Sequence, residues 1–223
     1  MTTPNGNQYL DERQAVLDCA KAIHAQGLVV GTSGNVSARC GRDMLAVTAT
    51  STPYETMTLD DIVVVDFTGE PVVGDALPST ESLMHIAIYQ ARPDVGAVCH
   101  THSAYASGLS VAGQPLVPMI DEMVVHMGGR IEVSTYAFPG TEEIGARVVE
   151  ALGERAAALI RNHGVVGVGR TVPEALRICQ MVEHSARIYA VAKSIGQVNE
   201  LPEDSVRAEV EIYRMKHLAE EHA

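Results

Sequence analysis

Positive charge is scarce in this chain: 16 Lys and Arg stand against 28 Asp and Glu, a formal net charge of -12 with neutral histidines. Nucleic acids and anionic membranes are bound through clustered cations, so neither is expected as a general partner. An anionic small molecule remains possible, provided that its site is built from neutral donors, a metal or helix N-termini. Long hydrophobic runs are absent too. No stretch approaches the roughly 20 apolar residues of a membrane span, and the polar start, Met1 to Asn7, lacks the apolar core of a targeting segment. Cysteine is sparse, with Cys19, Cys40, Cys99 and Cys179 scattered and no Cys-x-x-Cys pair. These absences predict reduced thiols in a soluble, cytoplasmic protein. Internal repeats, low-complexity segments and dividing linkers are missing as well. The 223 residues therefore predict one domain, 1–223, with residues 1–7 or so disordered.

What is present is a mixture of strands and helices without the regular alternation of a doubly wound sheet. Apolar spacing predicts a helix from Tyr9 to Gly27, and strands follow at Val36–Arg39, Met44–Thr48 and Ile62–Phe67. Asp66-Phe-Thr-Gly69 marks the start of a hairpin. A helix from Thr80 to Ala91 is broken by Pro93-Asp94 before a strand over 95–100. Further helices are expected over Ser103–Val111, from a Thr141 N-cap to Leu152, from a Thr171 N-cap to Ile195, and from Glu203 onward. Ala157–Ile160 and Val165–Val168 are strands joined by Arg161-Asn-His-Gly164. Met119, Met123 and Met127 are read as fillers of core or interface gaps. One α/β or α+β domain, with helices covering a central sheet, fits this order.

The chemistry concentrates where Val95-Gly-Ala-Val-Cys99 runs into His100-Thr101-His102. Side chains two apart on a strand share a face, which sets two imidazoles side by side at its end. Neutral imidazole is a common metal ligand, and a satisfied polar pair is the alternative. His163 is either a third ligand or a turn residue satisfied by backbone. Three histidines with an open position form a catalytic rather than a structural arrangement. Glu81, in Pro78-Ser79-Thr80-Glu81, has three readings: a first-turn carboxylate favoured by the helix dipole, a partner for His85 one turn on, or a catalytic group beside a metal. Three hydroxyl- and glycine-rich turns are candidate phosphate cradles: Ser79-Thr80, Gly31-Thr-Ser-Gly34-Asn35 and Thr48-Ala-Thr50-Ser51-Thr52.

In their order, Gly31-Thr-Ser-Gly-Asn-Val-Ser37, Pro78-Ser-Thr-Glu81, His100-Thr-His-Ser103 and Asn162-His-Gly164 resemble the class II aldolase/adducin family, from about residue 8 to at least 196. The resemblance implies a single three-layer α/β/α domain with a mostly antiparallel central sheet. It implies Zn2+ (with Mn2+ or Co2+ as other candidates) on His100, His102 and His163, with Glu81 as the catalytic carboxylate able to approach the metal. Gly34, Asn35, Thr50, Ser51, Ser79 and Thr80 match positions that bind a substrate phosphate. The implied assembly is a homotetramer with active sites at subunit interfaces.

The implied reaction is cleavage of a ketose 1-phosphate to dihydroxyacetone phosphate and an aldehyde, through an enediolate. The ketose would be like L-fuculose 1-phosphate, or a 5-deoxypentulose or methylthioribulose 1-phosphate. Two departures stand out. Thr50-Ser51 replaces Thr-Gly of the fuculose-phosphate pattern, and Glu122 falls where those enzymes lend a Tyr to the neighbouring subunit. Tyr213, in the C-terminal segment, is read as part of a tail covering the site. A sugar-phosphate 4-epimerase, decarboxylase or dehydratase on the same metal scaffold is the alternative, and a non-catalytic adducin-like module the least favoured. Related epimerases carry Asp at the position of Glu81, so the chain leans to cleavage.

Overall fold

Strand residues with both faces apolar organise the molecule. In the computed structural model, which describes residues 8–220, Ile62, Val63, Val64 and Val65 are all fully buried. Because neighbours on a strand point to opposite faces, such a run requires cover on both sides of the sheet. The expected disorder of residues 1–7 falls outside the described residues.

Seven strands form that sheet: β1 (Asn35–Cys40), β2 (Met44–Thr48), β3 (Ile62–Asp66), β4 (Pro71–Val73), β5 (Ala97–Thr101), β6 (Ala157–Ile160) and β7 (Gly164–Gly169). Their spatial order is β4-β3-β2-β1-β5-β7-β6, and every neighbouring pair is antiparallel. Seven α-helices accompany it among the described residues: α1 (Leu10–Ala25), α2 (Ser82–Ala91), α3 (Ala104–Ala112), α4 (Asp121–Met127), α5 (Glu142–Leu152), α6 (Val172–Ile195) and α7 (Glu203–Glu220).

The helices divide between the two faces. On one, Met84 and Ile88 of α2 and Val148 and Leu152 of α5 pack on Val63, Val65, Val98 and Val166. On the other, Val16 and Ala20 of α1 and Ala175 and Cys179 of α6 cover Val64 and Cys99. Farther along that second face, α3, α4 and α7 close over Leu159 and Val165 with Leu109, Met123, Met127 and Tyr213. The result is the expected three-layer α/β/α arrangement. All four cysteines are free thiols buried in these layers.

Most expected elements recur within a residue or two, and the differences are local. Thr141 and Thr171 stand at the N-caps of α5 and α6 with extended backbones, yet neither hydroxyl caps its helix; that of Thr141 donates to Phe138 O at 2.7 Å. Helix α4 and strand β4 have no counterpart in the sequence reading, since seven and three residues are too few to display a period. The methionines fare as expected: Met123 and Met127 are fully buried in the core, and Met119 packs against it.

Sheet and helix layers come into close contact at Gly167 of β7. A Cβ there would lie 2.8 Å from Cys179 Sγ and 3.0 Å from Ala175 O. One of those atoms is helix backbone, which cannot yield without moving α6. Overpacking of this kind costs about 1–3 kcal/mol. Gly167→Ala is therefore expected to lower the urea midpoint by that equivalent with an unchanged m-value, and an unshifted midpoint would show that the layers can separate.

Candidate metal centre

Antiparallel order decides where the chemistry collects. The end of β2, the start of β1, the end of β5 and the start of β7 lie side by side, because Thr48, Asn35, His100 and Gly164 terminate neighbouring strands at the same edge. Asn35 is paired with His100, and His100 with Val166. His102 follows the end of β5, where α3 begins. Glu183 of α6 accepts hydrogen bonds from the free N–H groups of Tyr105 (3.1 Å) and Ala106 (2.9 Å), which anchors the turn just after His102.

His163 arrives from the β6–β7 hairpin. Its N–H donates to Ile160 O at 3.0 Å while Asn162 takes a left-handed backbone, φ 56°. Asn tolerates that conformation better than most residues. Gly164 then permits the hairpin to approach the other two rings: a Cβ would strike Thr101 O and lie 3.1 Å from His102 Cδ2.

The three rings meet edge to face, with centroids 4.7–4.9 Å apart. His100 Nε2 lies 2.9 Å from His102 Nε2 and 3.3 Å from His163 Nε2. Glu81 completes the group, Oε2 at 3.4 Å from His100 Nε2 and Oε1 at 3.3 Å from His163 Nε2. One donor atom from each of the four residues lies within 4.8 Å of the others. Glu81 is not a first-turn residue of α2. It is the N-cap, its side chain makes no capping bond, and the carboxylate turns into the histidine cluster instead.

Protonation can be read from the partners. His100 Nδ1 faces Val165 O at 2.9 Å, and a carbonyl can only accept, so Nδ1 carries the hydrogen and Nε2 offers its lone pair to the centre. Burial, with His100 adding to it, holds His102 down at about 3 and His163 at about 4. Burial pushes the Glu81 carboxyl up, but His100, His163, Asn35 and His85 outweigh it and the net direction is down. Glu81 is thus held as a carboxylate among the three rings, and its Oε1 is buried with no hydrogen-bond partner. A proton on one nitrogen can relieve only one of these close lone-pair contacts. A divalent cation can relieve all of them, and three imidazoles with a carboxylate suit zinc and its neighbours in the transition series.

The three hydroxyl-rich turns also converge at this edge. Ser79 N–H donates to Thr48 O (3.0 Å), Thr50 N–H to Leu77 O (2.9 Å), and Val36 N–H to Thr48 Oγ1 (3.3 Å). Tyr54 OH holds the third turn through Ser33 O and Gly34 O, both at 2.9 Å. Gly34, at φ 79°, presses so closely on β5 that a Cβ would lie 2.7 Å from His100 O. Ser51 has φ 56° and is exposed, as is Thr80, whereas Asn35 and Ser79 are buried.

Two expected residues are elsewhere. Glu122 is exposed on α4 and lines a small groove with Gln180, Met181, His184 and Ser185 of α6. The reading of Tyr213 as part of a cover over the site is corrected for this chain's own centre. Its ring is buried against Gly128, and its hydroxyl donates to Glu154 O at 3.0 Å, before the start of β6 and at the opposite end of the sheet from His163. An apolar ring with one satisfied hydroxyl anchors α7 there. Two residues of consequence went unremarked or misread. Ser37 stands in the Gly31–Ser37 motif with no role assigned to it, and His85 bonds Asn35 rather than Glu81.

Fold and centre together define an α/β/α protein able to hold a divalent metal at its strand ends. The chain belongs to the family described as "Class II Aldolase and Adducin N-terminal domain", which matches residues 14–190. It is 34% identical over 203 residues to a 5-methylthioribulose-1-phosphate/5-deoxyribulose-1-phosphate aldolase of Rhodospirillum rubrum, covering 91% of this chain and 90% of that one. It is 36% identical over 181 residues to an L-fuculose phosphate aldolase of Escherichia coli O6:H1, covering 81% and 83%. A solved L-fuculose 1-phosphate aldolase superposes with a TM-score of 0.87 at 32% identity, covering 92% of this chain and 96% of that one. Class II aldolases are metal-dependent aldehyde-lyases, and this chain is an enzyme of that class. No helix of the described residues is long and apolar enough to cross a membrane.

The histidines set a pH dependence. For His85, fully buried and held at about 3 against an ordinary 6.5, the unfolded chain binds the proton first as pH falls. Its contribution to stability is complete above 6.5 and declines as pH drops toward 3; His102 and His163 act in the same direction. Metal-free protein should show a lower urea midpoint at about pH 4.5 than at about pH 7, and equal midpoints would contradict rings held neutral.

Proposed function

We propose that the chain is a zinc-dependent aldolase that cleaves a ketose 1-phosphate to dihydroxyacetone phosphate and a small aldehyde. The ketose is read as a 5-deoxypentulose, methylthioribulose or L-fuculose-like 1-phosphate, and these are the classes acted on by the relatives named above. The observation that carries the reading is the buried, unpartnered Oε1 of Glu81, set among three imidazoles. His100, His102 and His163 would hold the metal, with Glu81 beside it. When bound, the cation supplies a Lewis acid for the ketose carbonyl and its adjacent hydroxyl oxygen.

The chain's own groups do the rest. The turns carrying Gly34, Asn35, Thr50, Ser51, Ser79 and Thr80 bring neutral donors and the N-terminus of α2 to one place, suited to a phosphate in a chain of net charge -12. Anchoring the phosphate places the ketose carbons beside the centre and removes part of the entropic barrier. Breaking the C3–C4 bond leaves its electrons on the phosphoketone fragment as an enediolate, and the proton that the C4 hydroxyl loses as the aldehyde forms passes to the Glu81 carboxylate. Glu81 returns a proton to C3, and in the synthetic direction removes it. The whole chain is read as one cytoplasmic domain that assembles into a homotetramer. Glu122, exposed on α4 and not one of the groups gathered at its own centre, would then serve the aldehyde end of a neighbour's site.

A purified-protein assay coupled to dihydroxyacetone phosphate, run on these ketose phosphates, should show cleavage of at least one. Silence on all of them would overturn the reaction. Glu81→Gln should lower turnover by about 10²–10⁴-fold while metal analysis shows the cation retained. Full activity in that variant would remove Glu81 from proton transfer.

A further inference from the structure

Behind Glu81 a file of buried polar side chains runs between β1 and α2. Asn35 Nδ2 is 2.8 Å from Glu81 Oε2, and Asn35 Oδ1 is 2.6 Å from His85 Nε2. His85 Nδ1 is 2.7 Å from Ser37 Oγ, which is 2.8 Å from Tyr89 OH. His85 and Ser37 are fully buried, Tyr89 and Asn35 nearly so. Arg39 closes the far end, its guanidinium 4.7 Å above the Tyr89 ring and donating to Tyr89 O at 2.7 Å.

Every hydrogen in this file has only one consistent place. The carboxylate can only accept, so the Asn35 amide presents its NH2 to Glu81 and its carbonyl to His85. His85 must then donate through Nε2, which leaves Nδ1 as an acceptor. Ser37 gives its one hydrogen to Nδ1, and Tyr89 gives its own to Ser37. All four donations run toward Glu81. Reversing one link sets a ring lone pair against the amide carbonyl, or the amide oxygen against the carboxylate at 2.8 Å. Met84, Ile86 and Ile88, on the same helix as His85, are apolar side chains and offer it no hydrogen-bonding group. Burial holds His85 at about 3, so it stays neutral, as the file requires.

We propose that His85 is a positioning residue for the reaction, held as its Nε2–H tautomer by Ser37 and Tyr89, and that through Asn35 it fixes Oε2 of Glu81 and leaves Oε1 free for the substrate's proton. This rests on the aldol reading above. Fixing one oxygen sets the rotation of the carboxylate, and a proton acceptor that is slightly misaligned loses rate without losing substrate binding.

The test has two arms on the full-length zinc-loaded protein. In 15N NMR at neutral pH, with the His85 signal identified by its loss in His85→Gln, the ring should be neutral and protonated at Nε2. A neutral ring protonated at Nδ1, or a charged ring, would overturn the proposal. In kinetics, Ser37→Ala should lower kcat about tenfold with KM and zinc content unchanged. Tyr89→Phe, which leaves the Ser37 hydrogen in place, should cost less. Parental kcat in Ser37→Ala, or a loss explained by lost zinc or raised KM, would reduce the file to a structural role and overturn the proposal. The NMR arm reads the file without turnover, so a parent protein inactive on every ketose would defeat the aldol reading separately.

Discussion

Four electron-rich atoms crowd one point beside a sheet, and much of the surrounding structure keeps them there. Lone pairs 2.9–3.4 Å apart repel unless positive charge lies between them, and a dry setting strengthens that repulsion. The fold supplies the constraint through rigid neighbours: a carbonyl of β7 behind His100, a hairpin closed around His163, a capped helix after His102. Affinity for a cation follows from holding these groups together before the cation arrives, since less ordering remains to be done on binding.

The sheet makes this possible at modest cost. Because neighbouring strands are antiparallel, one edge gathers the ends of β2 and β5 and the starts of β1 and β7. Helices on both faces bury most of the sheet, so the strand ends at this edge are stiff. The same edge carries the hydroxyl-rich turns, which sets the proposed phosphate-binding groups and the Glu81 carboxylate in one frame. Asn35 joins the two, standing in the Gly-Asn turn and bonded to Glu81.

Much of the site was legible as types of residue in a pattern. His100 and His102 followed from strand alternation, and the turn around His163 from its Gly and Asn. Alternation and length also located most strands and the longer helices. Helix α4 escaped because seven residues show no period, and β4 because three do not. Glu81 was ambiguous between a dipole-favoured helix carboxylate and a site residue; its cap position and inward side chain resolved that. Tyr213 was placed by likeness of position alone, and its burial against Gly128 moved it away from the centre. Glu122 lies exposed on α4, and its role rests on the homotetramer proposed above.

By itself the sequence determined the family, the layered α/β character and the residues of the candidate metal centre, because these depend on residue identity, periodicity and the order of short motifs. Only the tertiary structure decided which atoms meet. The tautomer of His100 and the one-way file through His85 arise from hydrogen bonds between residues 46 to 65 positions apart, and the setting of the orphaned Oε1 of Glu81 from the packing that brings His163 beside it. No local pattern encodes such contacts. A hydrogen bond's direction is fixed by both of its partners, and for these residues the partner is chosen by packing rather than by sequence neighbourhood.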